Sequence, residues 1–405
     1  MTASDPRSPA TVRSAGQEPP LLPPAVRQAL EHPGPFALGL DAWLAAECGA
    51  THPEELAAAV RARQLELLNA DLCHMAKHSS LYRQRLMGAG RWSAAGLRPL
   101  RDLSELAELP FTTADDLRPG EALLCVSRDE VARMVTVSTS GSTGAPKRLA
   151  FSDAELARTR DFFAVGMAQM VTAGQHVAVL LPGAHRPRGI TDLLAGSLAP
   201  QGVRVTACME LADLLLCVPE QAPEGAAAMA PAGLGLVLLP RQMECLWRAF
   251  PQTPPGLCAA LCAADWLDPG LRRQVEQSWV CLVLDHYGST ESAFAGAVQC
   301  RCREGRHVRA LDLLLEIVHP VTGKVLPAGE TGELVITTLQ RRAMPLLRYR
   351  TGDMASLLDG PCACGSPLPR LGPVLGRIEY DGQGFRVTHP RKGGSEERRS
   401  CAITL

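Results

Sequence analysis

Residues 138–147 read STSGSTGAPK and separate two regular stretches: VTV at 135–137, typical of a strand, and an amphipathic run at 152–170, typical of a helix. In the loop, glycines let backbone amides approach an anion, hydroxyl groups donate hydrogen bonds, and Lys147 neutralises charge. The loop does not end in the Gly-Lys-Ser/Thr of a Walker A motif. A surface loop rich in serine and glycine is the plain alternative, but the lone lysine in this setting favours a site for nucleotide phosphates.

The composition is that of an ordinary globular protein, with 46% hydrophobic and 20% charged residues in a chain of 405. A net charge of −1 gives no bulk attraction to nucleic acid or anionic lipid, so neither is an expected partner. No apolar run reaches the roughly 18 residues of a spanning helix, and the N-terminal residues lack the apolar centre of a signal peptide. Most of the fourteen cysteines lie singly in apolar runs, as reduced core residues do. These features predict a soluble cytoplasmic protein with no membrane partner.

One large domain is expected at residues 36–375, between two segments of different texture. Residues 1–35 are rich in proline and carry little hydrophobic periodicity, which predicts a disordered tail. Residues 376–405 end in a polar, basic stretch without helical or strand periodicity. That stretch predicts a vestigial or truncated C-terminal segment.

Within the large domain, helical and strand patterns alternate. Residues 53–86 carry apolar side chains at three-to-four spacing among strong helix formers, which predicts one or two amphipathic helices. Apolar runs predict buried strands at 132–140, 176–181, 234–239 and 279–288. From residue 313 onward, short runs broken by glycine and proline predict antiparallel β-structure. The predicted fold class is therefore α/β, with mostly parallel sheets flanked by helices and a small antiparallel part.

Two further motifs carry nucleotide-binding chemistry, and the first of them directly follows a strand-like run. In the sequence DHYGSTE, Tyr287 can stack on a purine, and Thr290 and Glu291 offer oxygen ligands for Mg²⁺. In the sequence RYRTGD, the carboxylate of Asp353 can accept both hydroxyls of a ribose. Taken singly, the first motif is a turn with a chance acid and the second is an ordinary turn.

Together and in this order, the three motifs resemble those of the adenylate-forming enzymes, which comprise acyl-CoA synthetases, adenylation domains and luciferases. The resemblance covers about residues 60–377 and is greatest to the phenylacetate-CoA ligase branch. It rests on five further stretches: SLYRQ at 80–84, LPFTTADDLR at 109–118, AMPLLRYR at 343–350, CACG at 362–365 and LGR at 375–377. The resemblance implies ATP-dependent activation of an aryl or small acyl carboxylic acid to acyl-AMP, with release of pyrophosphate, followed by transfer to CoA.

Carried over position by position, the resemblance implies a role for each motif. Lys147 and the loop hydroxyls would contact phosphates, Glu291 would serve Mg²⁺, and Arg377 would join Asp353 at the ribose. Such catalysis is mainly positioning and charge neutralisation, so it needs no protein nucleophile. The expected catalytic residues are Thr143, Lys147 and Glu291, and the expected nucleotide-binding residues are Ser140, Gly141, Ser142, Gly144, Tyr287, Gly288, Thr290, Asp353 and Arg377.

Cysteine and histidine residues on two separated loops indicate a metal site. Cys300, Cys302 and His307 precede the β-rich segment, and the pair Cys362 and Cys364 follows it. Four such ligands would close a tetrahedral structural Zn²⁺ site, whereas isolated thiols in exposed turns are the plain alternative. The resemblance favours Cys300, His307, Cys362 and Cys364 as ligands and leaves Cys302 as a spare or a substitute for His307.

The C-terminal end departs from the family pattern. In the family, a hinge near Gly376 and Arg377 leads to a mobile lid domain with a catalytic lysine. Only 25 residues follow Tyr380 here, and Lys392 is their one lysine. The expectation is an acid–CoA ligase that lacks the lid and is impaired, or that receives a lid from a partner protein. The alternative is a catalytically silent adenylate-binding or scaffold protein. Relatives are often dimers, which favours a homodimer, whereas the identity of the acid has no signature in the sequence.

Overall fold

The computed structural model describes residues 22–118, 121–137, 146–209, 213–214, 233–380 and 384–388. The helices are α1 (Pro24–Glu31), α2 (Gly39–Cys48), α3 (Pro53–His78), α4 (Ser80–Gly88), α5 (Asp153–Met167), α6 (Ile190–Leu198), α7 (Pro240–Ala249) and α8 (Pro269–Trp279). The first nine strands are β1 (Trp92–Ser93), β2 (Gly96–Leu97), β3 (Arg133–Val137), β4 (Lys147–Phe151), β5 (His176–Val179), β6 (Arg204–Ala207), β7 (Leu234–Leu238), β8 (Leu257–Cys262) and β9 (Leu282–Tyr287). The remaining strands are β10 (Ala297–Val298), β11 (Arg306–Val308), β12 (Leu313–Val318), β13 (Thr331–Thr338), β14 (Tyr349–Leu358), β15 (Arg370–Leu371), β16 (Gly376–Tyr380) and β17 (Phe385–Thr388).

Five parallel strands form the α/β part of the large sheet, in the order β6-β5-β7-β8-β9. Every residue of β5 and β7 is buried, as expected when helices cover both faces of a parallel sheet. Three of the predicted apolar runs lie here, as β5, β7 and β9. The strands β6 and β8 were not predicted from the sequence, because RVTA is short and LCAALC contains no β-branched or aromatic residue.

Beyond β9 the same sheet continues with antiparallel strands, in the order β9-β10-β11-β15-β14-β13-β12. This confirms the predicted fold class, including the antiparallel part from residue 313 onward. One continuous sheet therefore joins the strand that ends at Tyr287 to the strand that carries Asp353.

A separate two-stranded sheet, β3 and β4, brackets the phosphate loop. Its antiparallel register pairs Val137 with Lys147, so the two ends of the loop lie side by side. The prediction of a strand, a loop and then a helix missed β4, because the sequence KRLAF is short and begins with two charged residues. The helix α5 follows at once, with Ser152 as its N-cap: the Glu155 amide donates to Ser152 Oγ over 3.4 Å.

The prediction of a disordered tail up to residue 35 is wrong from Pro24 onward. Residues Pro24–Glu31 form α1, which begins with a proline at a position where the missing N–H costs nothing. Val26 and Ala29 of this helix are buried in the core cluster that also contains residues of α2 and α5. The abundance of proline in this region hid a short helix whose stability comes from packing.

The prediction that the C-terminal stretch lacks strand structure is also wrong in part. Phe385–Thr388 forms β17, which pairs antiparallel with β16, and β16 pairs with β14 at Asp353 and Met354. The strand was missed because FRVT is only four residues long and is flanked by polar sequence. The hairpin is therefore an extension of the large sheet.

The helical region at residues 53–86 consists of two helices, α3 and α4, which agrees with its amphipathic pattern. Ser79 separates them, and its side chain accepts a hydrogen bond from the Tyr82 amide over 3.2 Å. Tyr82 is fully buried, and its hydroxyl donates to the carbonyl oxygen of Pro345 over 2.8 Å. Among the described residues, no helix combines the length and apolar character needed to cross a membrane.

Candidate nucleotide site and metal centre

Lys147 connects the phosphate loop to the rest of the site. It is the first residue of β4, is 8% exposed, and donates a hydrogen bond from Nζ to Oε1 of Glu291. The other predicted loop residues lie outside the described residues: Ser140, Gly141, Ser142, Thr143 and Gly144. Their contacts with phosphate therefore stay predictions.

Glu291 lies four residues beyond the end of β9 and is buried. Burial raises the pKa of its carboxyl group, but the charge and hydrogen bond of Lys147 outweigh burial, with help from Tyr349. The pKa of Glu291 consequently lies below its ordinary value, and the side chain is ionised at neutral pH. Lys147 and Glu291 thus form a buried pair in which each charge depends on the other.

Tyr349, the first residue of β14, belongs to the same group although the sequence assigned it no role. Its hydroxyl donates to Glu291 Oε1 over 3.0 Å and accepts from Lys147 Nζ over 3.4 Å. Burial and then the adjacent charge of Glu291 raise the pKa of Tyr349 above its ordinary value. The hydroxyl therefore stays protonated and available as a donor to the carboxylate.

Arg341 is a second residue that the sequence did not assign. Its Nη1 donates to the backbone carbonyl of Glu291 over 2.6 Å, and its guanidinium lies 4.5 Å from the ring centre of Phe151. Phe151 is the last residue of β4, the strand that begins with Lys147. The buried Arg341 side chain therefore ties the strand of Lys147 to the loop of Glu291.

Asp353 forms the centre of a second polar group. It lies on β14 and accepts hydrogen bonds from the Tyr287 hydroxyl, over 2.9 Å, and from the Arg377 guanidinium. The register of β14 and β16 places Asp353 and Arg377 opposite each other. Burial and then Asp353 raise the pKa of Tyr287, whereas the pKa of Arg377 rises because Asp353 outweighs the opposing effect of burial. The structure brings these three predicted residues together, and their roles toward adenine and ribose stay predictions.

A tight turn connects Tyr287 to Glu291 and so joins the two polar groups. A Cβ atom at Gly288 would lie 2.3 Å from the carbonyl oxygen of Phe294, which only glycine avoids. The carbonyl oxygen of Thr290 accepts a hydrogen bond from the Ala293 amide over 3.1 Å. Gly288 and Thr290 thus lie between the residues predicted to bind adenine and Mg²⁺, and their own contacts with ligand stay predictions.

The four predicted metal ligands form one cluster, in which all ligand atoms lie within 4.8 Å of one another. The Sγ atoms of Cys300 and Cys362 are 3.8 Å apart, and Cys364 Sγ lies 3.7 Å from His307 Nε2. Thiolates about 2.3 Å from a tetrahedral zinc ion are about 3.8 Å apart, so both the donor set and the spacing fit zinc. Cys302 is exposed and lies outside the cluster, so the geometry favours His307 as the fourth ligand.

Local backbone structure explains why these ligands meet. The antiparallel pair β10 and β11 places Val298 opposite His307, which brings Cys300 to the same end of the hairpin. Across β11, His307 pairs with Arg370 of β15, the strand that follows the CxC turn. Gly365 closes that turn at a φ of 96°, a conformation that favours glycine, and its amide donates to Cys362 O over 2.8 Å.

Comparison with known proteins identifies the family. Residues 127–340 match the family described as AMP-binding enzyme. The phenylacetate-coenzyme A ligase of Thermus thermophilus is 30% identical over 340 residues, which cover 79% of this chain and 71% of that enzyme. The chain belongs to the phenylacetate-CoA ligase branch of the AMP-binding enzymes. The phenylacetate-coenzyme A ligase of Pseudomonas putida is 30% identical over 338 residues, again covering 79% of this chain and 71% of that enzyme.

Membership of this branch gives the reaction class, which is AMP-forming ligation of a carboxylic acid to CoA with ATP and Mg²⁺. A solved structure of 2-hydroxyisobutyryl-CoA ligase, in an open conformation with 2-HIB-AMP and CoA, matches the chain with a TM-score of 0.64 and 18% identity. The match covers 82% of this chain and 73% of that one. This phenylacetate-CoA ligase relative therefore shares its overall fold with a distant CoA ligase.

Proposed function

We propose that this phenylacetate-CoA ligase relative converts an aryl or small acyl acid to its adenylate at the site formed by Lys147, Glu291, Tyr287, Asp353 and Arg377, and then transfers the acyl group to CoA. The convergence of these side chains carries the proposal. They come from four strands or adjoining loops, yet they form two linked polar groups, one of which contains the phosphate-loop lysine. The choice of an aryl or small acyl acid follows the relatives, which are named for phenylacetate.

The pairing of Lys147 with Glu291 prepares both residues for a highly charged substrate. A triphosphate carries more negative charge than one carboxylate, so it attracts Lys147 more strongly than Glu291 does. With Lys147 directed to the phosphates, Glu291 would be the residue that holds Mg²⁺. When bound, Mg²⁺ supplies charge neutralisation at the phosphates.

Positioning is the main contribution of the protein in this scheme. The acid carboxylate attacks the α-phosphorus, and the bond to pyrophosphate breaks as the new bond forms. Asp353 and Arg377 hold the ribose, Tyr287 packs against the base, and Lys147 balances the charge that accumulates on the leaving group. No side chain forms a covalent intermediate.

Exchange of radiolabelled pyrophosphate into ATP, with a panel of aryl and short-chain acids, tests the adenylation step. We expect exchange above background with at least one acid, reduced about 100-fold by Lys147→Ala, because a charge-stabilising donor is lost. The matched control is Lys324→Ala, since Lys324 is exposed and lies outside the site. Absence of exchange with every acid, despite measured ATP binding, would favour the silent adenylate-binding alternative.

We also propose that Cys300, His307, Cys362 and Cys364 hold a structural zinc ion. A tetrahedral site filled by four protein ligands has no open position for a substrate, so its role is to fix the loops that carry the ligands. Elemental analysis of the purified protein should find about one zinc per chain. A preparation that is folded and active without metal would contradict this assignment.

Two statements about partners remain predictions: a homodimer, and a partner protein that supplies a lid domain. Sedimentation analysis tests the first. For the second, the pyrophosphate exchange rate is compared with the rate of thioester formation by this chain alone. Thioester formation as fast as adenylation would make a lid from a partner unnecessary.

A further inference from the structure

We propose that Tyr349 is a positioning residue, which orients the carboxylate of Glu291 for Mg²⁺ before and after Lys147 leaves it. This inference rests on the proposed role of Glu291. Tyr349 touches both members of the buried pair: its hydroxyl lies 3.0 Å from Glu291 Oε1 and 3.4 Å from Lys147 Nζ. The Tyr349 hydroxyl is therefore placed to orient the Glu291 carboxylate and the Lys147 ammonium group.

The chemistry of a phenol suits this position. A tyrosine hydroxyl has one hydrogen to donate and lone pairs that accept, so Tyr349 can donate to Glu291 while it accepts from Lys147. Both side-chain hydrogen bonds to the carboxylate, from Lys147 and from Tyr349, end at Oε1, so Oε2 is the oxygen that we assign to the metal ion. When Lys147 turns to phosphate, Tyr349 still holds Oε1. The carboxylate consequently keeps its orientation while its cation changes.

Tyr349 is itself held rigidly. It is 2% exposed, pairs with Ile336 in the ladder between β13 and β14, and forms a bridge with Thr112 on its other side. Arg341 fixes the opposite end of Glu291 through the backbone carbonyl, over 2.6 Å. The metal-binding carboxylate is therefore constrained at both its main chain and its side chain.

The test is Tyr349→Phe, which removes the hydroxyl and keeps the ring, and it has two readouts: the Mg²⁺ dependence of pyrophosphate exchange, and direct binding of Mn²⁺ in the presence of ATP without acid. We expect the Mg²⁺ concentration at half-maximal rate to rise roughly ten-fold, which is the size expected when a hydrogen bond to a charged group is lost. Mn²⁺ shares the preference of Mg²⁺ for carboxylate and water oxygens, and its dissociation constant should rise by a similar factor. An unchanged metal dependence would overturn the inference, whatever happens to the maximal rate.

Tyr82→Phe is a matched control. It removes a buried tyrosine hydroxyl of the same core, but that hydroxyl donates to the carbonyl oxygen of Pro345 and makes no contact with Glu291. We expect Tyr82→Phe to lower thermal stability without shifting the Mg²⁺ dependence. An equal shift in both variants would mean that core damage, and not positioning, explains the effect.

A third variant separates this inference from the proposed function. Glu291→Gln should raise the Mg²⁺ concentration at half-maximal rate more than Tyr349→Phe does, because it removes the proposed metal-binding charge itself. If Glu291→Gln keeps full exchange at low Mg²⁺, the assigned role of Glu291 fails. If Glu291→Gln is impaired while Tyr349→Phe matches the wild type, only the role of Tyr349 fails.

Discussion

The proposed nucleotide site and the cysteine cluster hold their polar groups in opposite ways. In the nucleotide site, Lys147, Glu291 and Tyr349 bind one another, so charge is balanced by neighbours within the protein. In the cluster, four ligand atoms meet at the spacing of a tetrahedral zinc site. The large sheet carries Tyr349 on β14 and His307 on β11, whereas Lys147 lies on β4 of the separate two-stranded sheet.

The difference indicates different tasks. A pair of opposite charges can exchange partners when a substrate arrives, and the cost of separating them is offset by the new contacts. A closed set of four ligands around the proposed zinc ion would have no such exchange and would contribute to the stability of the folded loops. We therefore expect changes in the cluster to act mainly on stability and changes in the nucleotide site to act mainly on activity.

The largest effect is expected for Cys362→Ser combined with Cys364→Ser. Removal of two of four ligands should abolish zinc binding and destabilise the protein by on the order of 5 kcal/mol, because the metal contributes binding energy to the folded state only. Elemental analysis and the melting temperature measure the two results. Cys302→Ser is the control, since Cys302 is exposed and outside the cluster. Full zinc content in the double variant would show that the ligands are wrongly assigned.

An intermediate effect is expected for Glu291→Gln, which should lower the free energy of unfolding by an amount that depends on pH. Because the pKa of Glu291 is lowered on folding, the pair stabilises the protein above the ordinary glutamate value of 4.5. That contribution is lost as the pH falls through the lowered pKa. Glu291→Gln should thus cost about 3 kcal/mol of unfolding free energy at pH 7, since it leaves a buried lysine unpaired, and progressively less below pH 4.5.

Denaturant unfolding at a series of pH values measures this difference. Glu330→Gln is the control, because Glu330 is exposed and should differ little from the wild type at any pH. A difference between wild type and Glu291→Gln that stays constant down to the lowest pH would show that Lys147 does not stabilise an ionised Glu291.

The smallest of these effects is expected for Asp353→Asn. This change removes a charged acceptor for ribose hydroxyls, and hydrogen bonds to charged groups contribute about 1.5–3 kcal/mol. We expect the KM for ATP in pyrophosphate exchange to rise about ten-fold or more, with the KM for the acid little changed. Asp359→Asn, at an exposed position just after β14, should leave both constants unaltered. An unchanged KM for ATP would remove Asp353 from the nucleotide site.

The motifs could be read from the sequence because each is local. Lys147, Glu291 and Asp353 were singled out by short stretches whose chemistry is apparent from a few adjacent residues. The family followed from the order of those stretches, and the fold class followed from the alternation of helical and strand patterns along the chain. Errors arose where local signals were weak: α1 is hidden among prolines, and β17 is a four-residue strand.

Tyr349 and Arg341 could not be found in this way. Their roles depend on contacts with Glu291, which is 58 residues away from the first and 50 from the second along the chain. The same holds for the choice between His307 and Cys302, since both follow Cys300 closely in the sequence and only the register of β10 and β11 places one of them among the thiols.

The sequence alone determined which chemical groups are candidates for binding a nucleotide and a metal, because those groups are encoded in short, ordered motifs. Only the tertiary structure decided which groups meet. The pairing of distant strands brings Lys147, Glu291 and Tyr349 together in one buried site. Because the dielectric constant there is low, each polar group needs a hydrogen bond from another. Pairwise contacts across a sheet depend on register, which no short stretch of sequence specifies by itself.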